Sequence, residues 1–306
     1  MSVRNELQAL VPTKSKALRN KLGTAPGIMF ENNSKFVFAL PGVPKEMMFI
    51  MEDSIIPFIG NLITERKKPV VLYKTLLTIG IAESLLADLI GTPEEFLEGG
   101  TLAFLPSYQG VKLRIGVDGS NFDIAQSKVT RIENILRAKA GKYIYGEAEQ
   151  TISSVVGEIL KEKHKTVSVA ESCTGGLLGG AFTDVSGSSS YFIGGVIVYS
   201  NEAKIRNLGV KSETIEKYGT VSEETATELA TKVRTKFDTD FGIGITGIAG
   251  PSGGSEKKPV GTVWICLADK KESIARKYFF GADRQVNRER AVNSALALLY
   301  NKLLEL

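Results

Sequence analysis

Apolar residues in the second half of the chain fall into short runs that alternate with longer segments of helical spacing. Thr166-Val167-Ser168-Val169-Ala170 reads as a buried strand, and strands are predicted over 166–171, 194–199, 241–246, 261–268 and 272–280. Helical spacing over 175–183, 201–208, 222–237 and 284–305 fills the intervals, and a helix over 152–160 leads into the region. Strands alternating with helices predict a three-layer α/β fold, in which ligands gather at the strand ends.

Upstream the pattern changes. Strands over 70–77, 102–105 and 111–117 with helices over 82–88 and 123–138 make a small α+β module of half-exposed strands. Residues 1–66 offer one convincing strand, 35–40, then the turn Pro41-Gly42-Val43-Pro44 and a helix through 45–51. One strand and one helix do not bury a core, so this piece reads as an incomplete α/β remnant. Its Phe36, Phe38, Met47, Phe49 and Ile50 are expected to borrow cover from the middle module or from another subunit of a homo-oligomer. The charged Glu65-Arg66-Lys67-Lys68-Pro69 marks the first boundary, giving expected domains over 1–66, 67–147 and 148–306.

Composition narrows the chemistry. The chain has 306 residues, 43% of them apolar, enough for real cores and for about two domains. A net charge of +4, with no basic run interleaved with aromatics, does not indicate nucleic acid as a ligand. No signal-peptide core follows Met1, and no apolar run approaches the roughly 18 residues needed to span a bilayer. A cytoplasmic protein without a membrane partner is therefore expected. Two cysteines, Cys173 and Cys266, make no disulfide framework, and Cys266 in Val263-Trp264-Ile265-Cys266-Leu267 reads as a small core residue. The one histidine, His164, sits in Lys161-Glu162-Lys163-His164-Lys165 and reads as a solvated turn residue. Most Ser-His-Asp, Cys-His and His-rich zinc chemistry is thereby excluded, leaving lysine, tyrosine, carboxylates and hydroxyls to act.

Candidate groups collect on the turns after the strands. Thr174-Gly175-Gly176 at a helix start suggests a phosphate cradle of backbone N–H groups, with the hydroxyls of Ser172 and Thr174 as added donors. Thr246-Gly247 leaves a strand into a loop carrying Gly253 and Gly254, more glycine than a turn needs, which predicts a ligand-enclosing loop. Without histidine a serine nucleophile needs another base, and Lys204, one turn into a helix after Tyr199, is placed to serve Ser188, Ser189 or Ser190. Cys173 is the rival nucleophile, completed by Glu171 and a lysine. Arg284 and Arg288, four apart, share a helix face and are candidates for a phosphate.

These residues carry a resemblance. Ala170 to Gly176, Gly187-Ser188-Ser189, Tyr199-Ser200-Asn201-Glu202-Ala203-Lys204, Gly219-Thr220-Val221-Ser222, Gly247-Ile248-Ala249-Gly250-Pro251, Gly253-Gly254 and Lys258-Pro259-Val260-Gly261-Thr262-Val263 together resemble the CinA family of competence/damage-inducible proteins. The family's C-terminal domain is a nicotinamide mononucleotide amidohydrolase, so the resemblance implies hydrolysis of that carboxamide to nicotinic acid mononucleotide and ammonia in NAD salvage. It implies Ser189 as nucleophile, Lys204 as base and Tyr199 as auxiliary group, with the nucleotide held by Ser172, Thr174, Gly175, Gly176, Thr246, Gly247, Gly253, Gly254 and Arg284. No cofactor and no metal is expected. The middle module looks like the family's small KH-type domain, for which the resemblance implies no RNA role. The first 66 residues resemble only the tail of a molybdopterin-binding-like domain, whose ADP-ribose pyrophosphatase activity would need the segment that is missing here. A nucleotide-binding scaffold without turnover is the alternative from another class.

Overall fold

The computed structural model describes residues 10–65 and 69–306; the extreme N-terminus and the basic run Arg66-Lys67-Lys68, on which the first boundary was placed, lie outside them. The chain divides into two compact units. One holds residues up to Val71 with Asp118–Ala125, and the other holds Leu72–Val117 and Gln126–Leu306.

The first unit is more complete than its sequence suggests. Strands β1 (Ser15–Leu18), β2 (Gly27–Asn32) and β3 (Lys35–Ala39) form an antiparallel sheet. The helical segments α1 (Pro44–Ile50) and α2 (Ile56–Glu65) are joined by a π-helical turn, Met51–Ile55. A small core of Leu18, Met29, Ile50 and Ile55 forms, with Phe36 and Phe38 packed edge-on to Phe58. The expectation of a single strand and no core is therefore corrected. β1 was missed because Leu18 is its one buried position, so no alternation marks it. Met47 and Met48 remain exposed, as do Val37 and Ile56. The helix Pro44–Thr64 is also long and apolar enough, by length and composition, to cross a bilayer. The expectation that no such segment exists is amended, although Glu52 and Asp53 near its middle would be costly in hydrocarbon.

A four-stranded sheet follows, in the order β5-β6-β4-β7, from β4 (Val70–Thr78), β5 (Thr101–Ser107), β6 (Gly110–Gly119) and β7 (Ile144–Glu147). Its helices are α3 (Glu83–Ile90), α4 (Glu94–Leu97) and α5 (Phe122–Ala140), and the buried residues include Leu113, Ile115, Ile132 and Leu136. β7 was not anticipated from the four residues Ile144-Tyr145-Gly146-Glu147. It is held by pairing with β4 and by Glu147, which reaches both Lys74 and Arg137.

The remaining residues build the expected three-layer α/β fold. After α6 (Ile152–Glu162) come β8 (Val167–Glu171), α7 (Leu177–Thr183), β9 (Phe192–Ile197), α8 (Asn201–Leu208), α9 (Ser212–Tyr218) and α10 (Glu223–Phe237). Then β10 (Phe241–Gly247), β11 (Thr262–Ala268), β12 (Ser273–Phe279) and α11 (Arg284–Leu304) complete the chain. The sheet order is β12-β11-β10-β8-β9, with β8 parallel to β9 and β10 and the β11 and β12 pairings antiparallel. Val167, Val169, Ile243, Ile245 and Ile265 face α6, α7 and α11 in one core. The opposite face of β10 is glycine at 242 and 244, and it has to be: a Cβ on Gly244 would meet Ala226 O at 2.5 Å and Ala230 N at 2.6 Å on α10. The Phe-Gly-Ile-Gly-Ile pattern thus carries a thick face for one helical layer and a flat face for the other. It leaves the carboxyl ends of the three parallel strands open between α8, α10 and α11.

Candidate active site

The turn after β8 begins the site. Ser172 extends the strand ladder by donating its N–H to Ile245 O (3.0 Å), and Glu171 O accepts from Val198 N (2.8 Å), so the turn starts from a fixed strand end. Glu171 is 1% exposed, and its carboxylate accepts three backbone N–H groups, from Gly176 (3.0 Å), Leu178 (3.1 Å) and Gly179 (2.7 Å). The N-terminus of α7 is therefore filled by the protein's own anion, which satisfies the donors and the helix dipole together. Gly175 and Gly176, at φ 61° and 97°, bend the chain around that carboxylate. From the other side Arg288 donates to Thr174 O (2.7 Å), while Asn287 donates to Ala249 O (3.0 Å) and Gly281 O (3.0 Å). The start of α11 thus pins both turns that flank the cleft.

Lys204 enters from α8, whose N-cap Ser200 accepts from Ala203 N (3.0 Å). Its side chain is 1% exposed and donates to Ser172 Oγ (3.1 Å) and to Tyr199 O (3.1 Å). Burial without a carboxylate partner pulls the ammonium from 10.5 down to about 8, partly offset by the neighbouring Cys173. About a tenth of the molecules would then carry a neutral amine at pH 7, so Lys204 can take a proton from Ser172. In the same surroundings burial pushes the Cys173 thiol up to about 12, with Glu171 adding to the rise. A thiol held neutral is a poor nucleophile.

Ser172, Cys173, Tyr199, Lys204, Thr246 and Arg284 line a cleft of about 380 Å³, with Asn201, Thr220 and Val221 on its further wall. Tyr199 is 60% exposed, and its hydroxyl accepts from Arg284 Nη2 (3.1 Å) while Arg284 Nη1 donates to Gly250 O (2.8 Å). Thr246 is buried and donates to Thr220 O (2.7 Å), fixing the segment that bears Val221. The N–H groups of Cys173 and Thr174 face no carbonyl or carboxylate acceptor among the described residues, and Thr174 Oγ1 is buried without a partner.

The structure rearranges several sequence expectations. Ser189 is not brought to Lys204. It lies exposed in a 3-10 turn, Ser188–Ser190, ahead of β9, and the next residue, Tyr191, receives the N–H of Val167 at the amino end of β8. The length of β8, about 16 Å, separates that end from Ser172. The hydroxyl within reach of the lysine is Ser172, which the sequence reading had assigned to substrate binding. The phosphate cradle at Thr174, Gly175 and Gly176 is likewise overturned, because Glu171 holds the Gly176 N–H (3.0 Å) and Ser172 O accepts that of Gly175 (3.2 Å), leaving that of Thr174 open beside a buried carboxylate. The same bonding removes Glu171 from any Glu-Lys-Cys arrangement. Gly253 and Gly254 sit in an exposed loop beyond the cleft, whose wall ends at Gly247 and Ala249. Lys204, Tyr199, Thr246, Gly247 and Arg284 do converge, although Tyr199 supports the lysine with its carbonyl rather than its hydroxyl. Cys266 is a buried core residue and His164 an exposed turn residue, as expected. Asn201, Thr220 and Val221 were missed as cleft residues, although their motifs carried the resemblance.

Comparison with known proteins places the chain in a family. Residues 149–303 match the model of the CinA C-terminal domain, and residues 73–146 match that of the damage-inducible protein CinA KH domain. A CinA-like protein of Chloroherpeton thalassium is 42% identical over 308 residues, covering 98% of this chain and 72% of the relative. CinA-like proteins of Flavobacterium psychrophilum and Nostoc punctiforme are each 41% identical, over 98% and 99% of this chain and 72% and 73% of their own lengths. With both domain models matched in order and relatives aligned along nearly its whole length, the chain belongs to the CinA family.

Proposed function

We propose that the cleft hydrolyses the carboxamide of nicotinamide mononucleotide, giving nicotinic acid mononucleotide and ammonia, with Ser172 as nucleophile and Lys204 as base. The observation that carries this reading is the buried lysine, with its pKa drawn down to about 8, donating to a serine hydroxyl at 3.1 Å. Neutral Lys204 takes the Ser172 proton as Oγ bonds to the amide carbon, and the negative charge passes to the carbonyl oxygen. The N–H groups of Cys173 and Thr174, on the same turn, are the donors available to that oxygen. As the C–N bond breaks, Lys204 returns the proton to the leaving ammonia, and an acyl-serine remains. Water then gives a proton to Lys204, its oxygen bonds to the acyl carbon, and the proton returns to Ser172 as the carboxylic acid departs and releases its remaining proton to solvent. The guanidinium of Arg284 at the cleft mouth is the cation available for the nucleotide phosphate.

Ammonia release from nicotinamide mononucleotide by the full chain is the direct test. Ser172→Ala is expected to lower kcat by at least about a thousandfold while Ser189→Ala stays near the unsubstituted rate. Loss of turnover in Ser189→Ala with retention in Ser172→Ala would overturn the assignment, and no ammonia release by the unsubstituted chain would overturn the activity.

A further inference from the structure

A second and larger cleft, of about 1000 Å³, opens between the four-stranded sheet's domain and the edge strand β12 with α11. We propose that it binds a phosphorylated nucleoside, separately from the hydrolytic cleft. Its walls carry four cations, Lys142, Arg276, Arg290 and Lys302. Lys302 is paired with Glu272 and Asp269, and with Glu305 on the rim. Among the described residues the other three have no carboxylate partner. Arg276 donates to the neighbouring carbonyl of Ala275 (3.2 Å), Arg290 to Phe280 O (3.1 Å), and Lys142 lies 4.7 Å from the ring centroid of Tyr143. Cations gathered in one concave space repel one another and focus a positive potential that an anion relieves. Two of them are arginines, whose planar fork matches phosphate oxygens.

The rest of the lining suits a flat ring. Tyr278 and Phe280 stack with centroids 5.5 Å apart and planes at 18°, leaving aromatic surface toward the cleft beside Tyr108 and Tyr143. Asn293 and Asn301 on α11 supply both donors and acceptors for a base edge. An inorganic anion would use the cations and leave the aromatic surface wet, and an uncharged base would leave the cations unpaired; a nucleotide uses both. The volume lies in the range of small-molecule sites, which form preferentially between domains. Arg290 is two residues beyond Arg288, about 200° around α11, so one face of the helix holds the catalytic turn while the other faces this cleft.

Titration of the full chain with the fluorescent nucleotide trinitrophenyl-ATP tests the proposal. Saturable binding in the micromolar range is expected, weakened about tenfold or more in Arg276→Gln/Arg290→Gln and unchanged in Ser172→Ala and Arg284→Ala. Arg276→Glu, a change at an exposed edge-strand position, provides the same test should the double variant fail to fold, and it is expected to leave ammonia release intact. Absence of saturable binding, binding that survives both the double variant and Arg276→Glu, or binding lost in Arg284→Ala would overturn it. None of these outcomes depends on whether nicotinamide mononucleotide is the substrate.

Discussion

Replacing Lys204 by Met should abolish turnover and, at neutral pH, make the fold more stable. Methionine keeps much of the apolar stem and removes a charge that burial holds against its preference. The ammonium is pulled from 10.5 to about 8, so keeping it protonated in the folded state at pH 7 costs about 3 kcal/mol. The substitution also leaves Tyr199 O and Ser172 Oγ without their donor, a loss of about 1 kcal/mol. A net gain of about 2 kcal/mol is expected. Its pH dependence has a definite sign: between about pH 8 and 10.5 the unfolded chain keeps a proton on this lysine that the folded chain has released. Stability of the unsubstituted protein therefore rises through that window relative to the variant, and by about pH 9.5 the burial cost falls to about 1 kcal/mol and the advantage disappears. Urea unfolding at the two pH values measures both numbers. A variant less stable than its parent at pH 7, or a difference that does not change with pH, would refute the picture of a buried lysine held against its charge. The same ionisation should appear as a rise in kcat/KM with pH up to about 8.

Two further outcomes test the scaffold. Glu171→Gln keeps the shape but replaces a carboxylate that accepts three N–H groups, so a loss of about 2 kcal/mol in urea unfolding is expected, with kcat falling because the Ser172 turn is no longer held; an unchanged midpoint would show that the cap is dispensable. Gly244→Ala forces β10 and α10 apart and should cost about 3 kcal/mol or prevent folding, read by thermal unfolding and soluble yield, whereas a neutral result would mean that the helix can shift without loss.

The central strands β8, β10 and β11 of the C-terminal region were legible because they are buried on both faces and read as continuous apolar runs bounded by turns. β1 and β7 were not legible, since four residues with one or two buried positions carry no period. At the site, Lys204 could be found from its spacing after the strand that ends near Tyr199, but its partner could not be chosen by proximity along the chain. Topology would have chosen it. In a parallel β-helix-β unit the chain leaves the carboxyl end of one strand, crosses through the helix, and re-enters at the amino end of the next. Ser188–Ser190 follow α7 and precede β9, so they belong at the amino ends, whereas Ser172 follows β8 directly and belongs at the carboxyl ends with Lys204. The depressed lysine pKa was beyond sequence reading because it depends on burial by segments up to about eighty residues away, among them the start of α11.

Glu171 decides how far the glycine-rich turn can be read as an anion site. A strand, two glycines and a helix start supply N–H groups and a dipole that favour negative charge, and from residue types alone a bound phosphate and an internal carboxylate satisfy them equally. The difference is where the acid sits. Glu171 is the last residue of β8 and its odd-numbered register points it to the α7 face, toward the N–H groups of Gly176, Leu178 and Gly179. A substrate phosphate there would meet a buried negative charge and find the N–H groups of Gly176, Leu178 and Gly179 already taken. Recognition of an anionic substrate must then come from the mouth of the cleft, where Arg284 is tethered by Gly250 O and the Tyr199 hydroxyl rather than by a carboxylate. The buried turn is thereby left to shape the nucleophile and the oxyanion donors, and charge recognition is moved to a side chain in solvent contact, where an arriving anion sheds less water.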